Sequence, residues 1–288
     1  MSLPDPLRAL YPFTSHWLQT AEGRIHYLDE GAGEAIVFVH GNPTWSFFYR
    51  NIVSALRSQY RCIALDHLGM GLSDKPQDAE YRLAMRIEHL SSLIDHLGLE
   101  RYHLVVHDWG GAIGMGAALK HPERVDRIQI FNTAAFRSKR MPWQIGLCRT
   151  PVLGEYFMRG LNGFSGSATT MAVTNKLPSA VKDGYLYPYG NWKDRVAIAR
   201  FVQDIPMQPD HPSYNTLLQI ENGLEQLCSK PMQIIWGMRD FCFDQSFLEA
   251  WIARFPEAIV HRLEGAGHYL LEDAAEECRE RFSRFLEA

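Results

Sequence analysis

The sequence has few cysteines, and those it has show no pairing pattern. Five occur among the 288 residues, an odd number without a C-x-x-C pair, at Cys62, Cys148, Cys228, Cys242 and Cys278. Such scattered cysteines are typical neither of a disulfide framework nor of a zinc site. We therefore expect a protein of the reducing cytoplasm that binds no metal.

The sequence also lacks long apolar runs and long runs of one charge. No stretch approaches the roughly 20 apolar residues that span a bilayer, and the first residues lack the basic and apolar regions of a secretory signal. Lys and Arg total 29 against 33 Asp and Glu, a formal net charge of −4. This balance gives no electrostatic reason to expect nucleic acid or an anionic membrane surface as a partner. We expect no transmembrane segment.

What the sequence does have is 46% hydrophobic residues, in short apolar runs that alternate with longer amphipathic stretches. This rhythm predicts a mostly parallel, doubly wound sheet covered by helices on both faces. The predicted strands, two of them in an opening hairpin, are residues 16–20, 24–27, 35–39, 62–65, 103–106, 127–131, 232–236 and 259–263. The predicted helices are residues 47–57, 83–97, 112–120, 214–228, 246–255 and 274–286.

The regular alternation breaks between Phe131 and Met232, where prolines and glycines interrupt short stretches rich in aromatic residues. Such an insertion predicts a small helical cap over the edge of the sheet. We assign residues 134–212 to this cap, and residues 1–133 and 213–288 to the main domain. The cap aromatics either line a pocket or bury the cap against the main domain; they are Trp143, Phe157, Phe164, Tyr185, Tyr187, Tyr189, Trp192 and Phe201.

Residues 105–111, Val-Val-His-Asp-Trp-Gly-Gly, end a predicted strand and begin a predicted helix. A sharp strand-to-helix turn presents its central side chain above the sheet, and it needs small residues such as Gly110 and Gly111 beside it. The central residue is Asp108, and a carboxylate that is ionised at neutral pH can attack a tetrahedral carbon without help from a base. The alternative is that Asp108 only caps the following helix.

Two further residues follow later strands, where a base and its partner would be needed. Asp240 follows the strand at 232–236, and His268 follows the strand at 259–263. All three candidates lie at carboxyl ends of predicted strands, where open α/β sheets place their sites, in the order nucleophile, acid, base. Three alternatives stay open, because His268 could be a core histidine, Asp240 could be a helix cap, and Asp244 could serve as the acid instead.

Two loops after other strands complete the pattern. In His40-Gly41-Asn42-Pro43-Thr44-Trp45, Gly41 lets the backbone approach the site and Pro43 stiffens a loop whose N–H groups can hold an anion. The glycine-rich loop at residues 66–74 lacks the Lys-Ser/Thr pair of a phosphate loop, and we interpret it as a structural turn.

These motifs resemble those of the α/β-hydrolase superfamily and, within it, the haloalkane dehalogenase family. The resemblance runs from about residue 25 to the C-terminal helix, and residues 40–44 and 107–111 look like that family's two signature loops. It implies an α/β-hydrolase fold, with a mostly parallel eight-stranded sheet and a helical cap after the sixth strand.

The resemblance also implies roles for five residues. They are the nucleophile Asp108, the water-activating base His268, its orienting acid Asp240, and the halide donors Asn42 and Trp109. In another branch of the family a Glu near position 132 supplies the acid, whereas this chain has Asn132 there, which is why the acid is placed at Asp240.

The first function these roles predict is haloalkane dehalogenation. Asp108 would displace halide and form an alkyl ester, which water activated by His268 would hydrolyse, giving alcohol, halide and a proton. The substrate would be a small apolar halogenated molecule, and no metal or organic cofactor is required. The sequence is also compatible with a homo-oligomer.

A narrower resemblance supports an alternative function. Five segments look like the dehalogenase branch that overlaps the β-lactone decarboxylases of bacterial long-chain olefin synthesis, namely residues 132–136, 147–151, 201–206, 236–244 and 271–277. In that alternative Asp108 acts on a carbon of a cis-β-lactone, and loss of carbon dioxide leaves a cis-olefin. The same nucleophile, base and anion donors serve both reactions.

Three other functions fit fewer of these residues. An epoxide hydrolase shares the Asp turn and the His, but Asn42 is the dehalogenase feature at its position. Such an enzyme would also need two cap tyrosines, for which the candidates are Tyr185, Tyr187 and Tyr189. A carboxylesterase would carry Ser as its nucleophile, and a binding protein without turnover would not need the complete set of nucleophile, acid and base.

Overall fold

Eight strands form a single sheet in the computed structural model, which describes residues 3–288. The strands are β1 Ser15–Gln19, β2 Arg24–Glu30, β3 Ala35–Val39, β4 Arg61–Leu65, β5 Tyr102–Asp108, β6 Val125–Thr133, β7 Met232–Gly237 and β8 Ile259–Leu263. β3, β5 and β7 are buried along their whole length, as continuous apolar runs indicate. The predicted α/β-hydrolase fold with an eight-stranded sheet is confirmed.

Helices connect most of the strands. The α-helices are α1 Asp5–Leu10, α2 Arg50–Leu56, α3 Leu83–His96, α4 Gly110–Ala118, α5 Trp143–Cys148, α6 Leu153–Glu155, α7 Gly163–Met171, α8 Ser179–Leu186, α9 Val196–Gln203, α10 Tyr214–Gly223, α11 Gln245–Arg254, α12 Leu270–Asp273 and α13 Ala275–Glu287. Shorter 3-10 turns are Ser46–Tyr49, Pro122–Arg124, Tyr187–Tyr189, Lys193–Arg195 and Leu224–Leu227, and one π-helical turn is Tyr156–Gly160. Within residues 3–288 no helix is long and apolar enough to cross a membrane.

The sheet separates two apolar layers because successive side chains of a strand point to opposite faces. In β3, Val37 and Val39 belong to one buried cluster, together with side chains of α3, α4 and α10. Ile36 and Phe38 belong to the other cluster, together with side chains of α2 and α13. Both faces of the sheet are therefore covered, as a doubly wound sheet requires.

The order of the strands creates a crevice at the centre of the sheet. The order is β1-β2-β4-β3-β5-β6-β7-β8, with β2 antiparallel to both of its neighbours and all other pairs parallel. After β3 the chain moves to one side to form β4 and then crosses to the other side to form β5. Connections that diverge in this way leave an opening at the carboxyl ends of β3 and β5, which is where such sheets bind ligands.

Several strands extend further than the apolar pattern predicts; β2, predicted at 24–27, is Arg24–Glu30, and two others extend into the crevice. The strand predicted at 103–106 is Tyr102–Asp108, and the strand predicted at 127–131 is Val125–Thr133. The added residues at the carboxyl ends of these two are polar, so an apolar run cannot reveal them. Their side chains nevertheless lie at the crevice, where polar groups are needed.

Helices α5 to α9 lie between β6 and α10, in the segment that the sequence analysis assigns to the cap. They contact the main core directly, since Tyr189 and Phe201 belong to the same buried cluster as β3 and α3. Trp45 also donates a hydrogen bond to the Gly184 carbonyl oxygen at 3.1 Å. The boundaries of the cap at residues 134 and 212 stay a prediction.

A buried carboxylate ties the end of α9 to α3. Asp204 accepts hydrogen bonds from Arg86 at 2.8 Å, from Arg82 at 3.3 Å and from the Ser213 hydroxyl at 2.6 Å. Arg86 and Asp204 are each 1% exposed. The Arg86 guanidinium also lies 3.7 Å from the centre of the Phe201 ring. Arg86 of α3 therefore contacts Phe201 within α9 as well as Asp204 at its end.

We predict that Asp204→Ala lowers the free energy of unfolding by about 3 to 5 kcal/mol, because it leaves the buried Arg86 charge without its partner. Denaturant unfolding followed by circular dichroism measures the change. Asp183→Ala is the matched control, since Asp183 is exposed in α8, and we expect it to cost less than about 0.5 kcal/mol. Equal losses in the two variants would contradict the assignment.

Candidate active site

Asp108 is the last residue of β5 and has a backbone φ of 52°. Positive φ is unfavourable for residues other than glycine, and a side chain held there marks a tight turn. The turn is possible because α4 begins two residues later with Gly110, where a Cβ would lie 2.0 Å from the Val39 carbonyl oxygen. The Asp108 side chain therefore stands above the carboxyl end of β5.

The loop after β3 encloses the Asp108 carboxylate. At Gly41 a Cβ would lie 1.9 Å from Asp108 Oδ1, so only glycine fits there. The next residue, Asn42, donates its backbone N–H to Asp108 Oδ1 at 2.5 Å. From the other side, the Thr133 hydroxyl of β6 donates to the Asp108 carbonyl oxygen. Three adjacent strands thus position one carboxylate.

His268 and Asp240 lie beside this carboxylate. His268 Nδ1 is 2.7 Å from Asp240 Oδ2, and its Nε2 is 3.7 Å from Asp108 Oδ2. The other oxygen of Asp240 accepts the backbone N–H groups of Cys242 and Phe243, which fixes the orientation of the carboxylate. His268 therefore bridges two carboxylates, with one ring nitrogen directed at each.

Asp244 occupies a different environment. Its carboxylate accepts the Ser246 backbone N–H at the start of α11 and pairs with Arg140 at 3.0 Å. A side chain in that position is a helix cap. Of the two acids that the sequence analysis left open, Asp240 is the one in contact with His268.

Burial and charge shift the pKa values of the two reactive groups upward. Burial raises the pKa of the Asp108 carboxyl, and the opposing effects of the His268 charge and of the Asn42 and Trp109 N–H groups are smaller. Burial by itself would lower the pKa of His268. The charge and hydrogen bond of Asp240, together with the charge of Asp108, outweigh burial and raise it.

Asn42 and Trp109 are the two candidate side-chain N–H donors. Both residues line the cavity above Asp108. Asn42 Nδ2 donates to the Ile198 carbonyl oxygen at 3.2 Å, which leaves its second hydrogen for an anion. The indole of Trp109 packs edge-on against Phe201, with ring centres 5.5 Å apart. These two donors are the kind of group that stabilises charge on a leaving atom.

Several residues that the sequence analysis did not single out support this arrangement. His107 donates to the His268 carbonyl oxygen at 2.9 Å, and its ring lies 4.5 Å from the His268 ring. Phe243 stacks on His268 at 5.7 Å. Asn132 bonds through both amide atoms to the Gly237 backbone, at 2.7 and 2.9 Å. Thus Asn132, considered only as the site of a missing acid, anchors β7 where the chain turns toward Asp240.

A cavity of about 650 Å³ opens above these residues. Its wall is formed largely by apolar side chains of the segment between β6 and α10, including Met141, Ile145, Phe164 and Val202. Asp108, His268, Asn42 and Trp109 form its polar end. A carboxylate in such a place is poorly hydrated, which favours attack on an apolar molecule bound above it.

Most of the cap aromatics divide between the two roles foreseen for them, whereas Trp192 is exposed. The cavity is lined by Trp143, Phe157 and Phe164. Tyr185, Tyr189 and Phe201 are buried in the core instead. None of the three candidate tyrosines lines the cavity; the Tyr185 hydroxyl donates to Glu272 and the Tyr189 hydroxyl accepts the Gly71 N–H. Epoxide hydrolysis therefore lacks its hydroxyl donors at those positions.

Within residues 3–288, no group of three or more His, Cys, Asp or Glu side chains could hold a metal ion. The arrangement that is present consists of a carboxylate nucleophile, a histidine bound to a second carboxylate, and two side-chain N–H donors in an apolar cavity. Such a site can attack a tetrahedral carbon whose leaving group departs as an anion.

Comparison with known proteins agrees with this geometry. The family model described as the alpha/beta hydrolase fold matches residues 34–149. A haloalkane dehalogenase from Agrobacterium tumefaciens superposes with a TM-score of 0.86 at 24% identity, covering 95% of this chain and 96% of that one. At that identity the likeness shows the fold.

Relatives of known sequence are more similar. Two, from Shewanella oneidensis and Xanthomonas campestris pv. campestris, are named cis-3-alkyl-4-alkyloxetan-2-one decarboxylase. The first is 43% identical over 97% of this chain and 90% of its own length, and the second 44% identical over 96% and 97%. A haloalkane dehalogenase 2 from Mycobacterium tuberculosis is 35% identical over 94% of this chain and 93% of its own length.

We predict that Asp240→Asn lowers the pKa of His268, because the amide keeps an acceptor for Nδ1 but removes the negative charge that stabilises the imidazolium. NMR titration of the His268 ring measures the midpoint. Asp244→Asn is the matched control and should leave that midpoint unchanged. A His268 midpoint that does not fall in Asp240→Asn would contradict the electrostatic role given to Asp240.

Proposed function

The chain belongs to the haloalkane dehalogenase family of α/β hydrolases, and we propose that within it the chain is a cis-β-lactone decarboxylase. It lies in the branch where the dehalogenases overlap the olefin β-lactone decarboxylases. The observation that carries the proposal is the difference in identity, 43% and 44% to the two oxetanone decarboxylases against 35% to the dehalogenase. The sequence analysis ranked dehalogenation first, and we reverse that order.

The first step would open the four-membered ring. The Asp108 carboxylate attacks the tetrahedral, alkyl-bearing ring carbon that is bonded to the ring oxygen, from the side opposite that oxygen. The carbon–oxygen bond breaks, and its electron pair leaves as a carboxylate on the neighbouring carbon. The product is an ester of Asp108, and no proton has moved. A buried, poorly hydrated carboxylate such as Asp108 suits this displacement.

The second step would release carbon dioxide. The bond from the neighbouring carbon to the new carboxylate breaks, and its electron pair forms the double bond as the ester oxygen leaves with the Asp108 carboxylate. Because attack came from the face opposite the ring oxygen, the ester oxygen and the carboxylate are anti to each other. Anti elimination from that arrangement keeps the two alkyl groups on the same side, so a cis-lactone gives a cis-olefin.

Together these two steps consume no water and need no base. His268 would therefore not act as a base in them. Its raised pKa favours the imidazolium, and a cation 3.7 Å from Asp108 Oδ2 would stabilise the carboxylates that appear and disappear during the two steps. The side-chain N–H groups of Asn42 and Trp109 would hold the departing carboxylate, as they would hold a halide. The apolar cavity wall would contact the two alkyl chains.

Haloalkane dehalogenation is the second candidate, and the two N–H donors favour it. Asn42 and Trp109 present single donors beside Asp108 that fit a monatomic anion as well as a carboxylate oxygen. In that reaction His268 would act as the base that activates water. The role of His268 is therefore the chemical difference between the two candidates.

We predict that the wild-type protein converts a cis-3,4-dialkyl-oxetan-2-one to the cis-olefin and carbon dioxide with a higher kcat/KM than it shows for a bromoalkane of matched chain length. Asp108→Ala should lose at least about 10⁴-fold of that turnover, because no other group can form the ester. Gas chromatography of the olefin and bromide release measure the two reactions. Bromide release without olefin formation would establish the second candidate instead.

We predict that His268→Phe, incubated with a bromoalkane, gains the mass of one alkyl group on Asp108, because ester formation needs no proton transfer whereas hydrolysis does. With the lactone no stable adduct should accumulate, since decarboxylation needs no base. Intact-mass spectrometry measures both, and Asp108→Ala/His268→Phe is the control that should stay unmodified. If the wild type released bromide while a folded His268→Phe stayed unmodified, the two-step scheme would be wrong.

We predict that Asn42→Ala and Trp109→Phe each slow lactone opening by about 10²- to 10³-fold, because each removes a donor that strengthens as negative charge develops on the leaving oxygen. Single-turnover measurements of olefin formation test this, with melting temperatures to exclude unfolding. Unchanged rates in both folded variants would reject the donor roles.

A further inference from the structure

The exposed apolar side chains of this protein are concentrated in one segment. Eight large apolar residues are exposed within residues 143–171, against three in the rest of the described chain. We call the eight the apolar rim; they are Trp143, Leu147, Val152, Leu153, Tyr156, Phe157, Leu161 and Met171. A concentration of exposed apolar side chains of this kind marks a place where a protein meets a partner or a membrane.

The apolar rim adjoins the catalytic cavity. Five of its members both face solvent and line the cavity, namely Trp143, Leu147, Leu153, Phe157 and Met171. The apolar wall inside the cavity therefore continues onto the outer surface. An apolar molecule could pass along this wall without crossing water, whatever reaction follows.

The charge around the rim is opposite to that of the whole chain. Residues 137–176 contain six Lys and Arg but a single acid, Glu155, whereas the chain as a whole has a net charge of −4. Three of the six cations pair with carboxylates, at Arg137, Arg140 and Arg159. Lys139, Arg149 and Lys176 form no ion pair within residues 3–288. The average charge of the chain therefore conceals a segment in which cations outnumber acids.

We propose that the apolar rim docks on the surface of a bilayer that contains anionic phospholipid, so that the cavity opens toward the lipid. Trp143 and Tyr156 have the amphipathic rings that favour the interface between lipid and water. Unpaired cations beside exposed apolar side chains add attraction to anionic headgroups. The proposal does not depend on which of the two reactions the site performs. For this segment, the excess of cations supplies the electrostatic reason to expect an anionic membrane surface that the charge of the whole chain does not give.

Sedimentation with phosphatidylcholine vesicles, with and without phosphatidylglycerol, tests the proposal on the full chain. We expect the wild type to sediment with the vesicles that contain phosphatidylglycerol, and to be partly released by high salt, because screening weakens the electrostatic contribution. A wild type that stays in solution with both kinds of vesicle overturns the proposal. Self-association through the rim, seen as a larger mass without vesicle binding, overturns it as well.

Variants outside the cavity wall separate the rim from the active site. Val152→Ser/Tyr156→Ser/Leu161→Ser should lower the vesicle partition coefficient by about tenfold or more, and none of the three residues lines the cavity. Trp17→Ser/Ile259→Ser is the control, because both residues are also exposed large apolar side chains but lie far from this segment in the sequence. Unchanged partitioning of the triple variant, or an equal loss in the control, would overturn the assignment of the rim.

The electrostatic part has its own pair of variants. Lys139→Glu/Lys176→Glu should weaken binding to the phosphatidylglycerol vesicles and reduce its dependence on salt, because it reverses two charges beside the rim. Lys230→Glu reverses a charge outside the segment and is the control. If the double variant bound as the wild type does and kept the same salt dependence, the anionic headgroup would not be the ligand.

Discussion

The conformation of Asp108 is the constraint on which the rest of the site depends. A carboxylate at a positive φ of 52° exists only where neighbouring backbone can approach it closely, and Gly41 and Gly110 provide that approach on two sides. The loop after β3 can reach Asp108 because β3 and β5 are neighbours in the sheet although β4 lies between them in the chain. Strand order, turn geometry and nucleophile are thus parts of one arrangement.

The electrostatics of the site follow from the same placement. Burial raises the pKa of Asp108, and two carboxylates raise the pKa of the His268 that lies between them. The backbone N–H of Asn42 donates to Asp108, and Asn42 and Trp109, which both carry side-chain N–H groups, line the same cavity. The site therefore has a nucleophile, a cation and anion donors at the polar end of an apolar cavity, and in our account the substrate decides whether His268 acts as a base.

The sequence predicted the strands and the positions of Asp108, Asp240 and His268 because each of the three lies at or after the carboxyl end of a strand that a local pattern reveals. It could not predict that Thr133, His107 and Asn132 support them, since those contacts depend on how β5, β6 and β7 pack. The tie between Asp204 and Arg86 joins residues far apart in the chain and leaves no local pattern. The motifs could not rank lactone decarboxylation above dehalogenation, because the same residues would serve both reactions. The chain average likewise concealed the local charge around the rim.

Turnover of a cis-3,4-dialkyl-oxetan-2-one in ¹⁸O-labelled water, with mass spectrometry of the products and of the peptide that contains Asp108, tests the central claim most directly. Decarboxylation returns both original oxygens to Asp108, because the ester breaks between oxygen and the alkyl carbon and water takes no part. The account predicts a cis-olefin and an unlabelled Asp108 after many turnovers. A labelled β-hydroxy acid, or ¹⁸O in the Asp108 carboxylate, would show that water enters the reaction and would contradict the account.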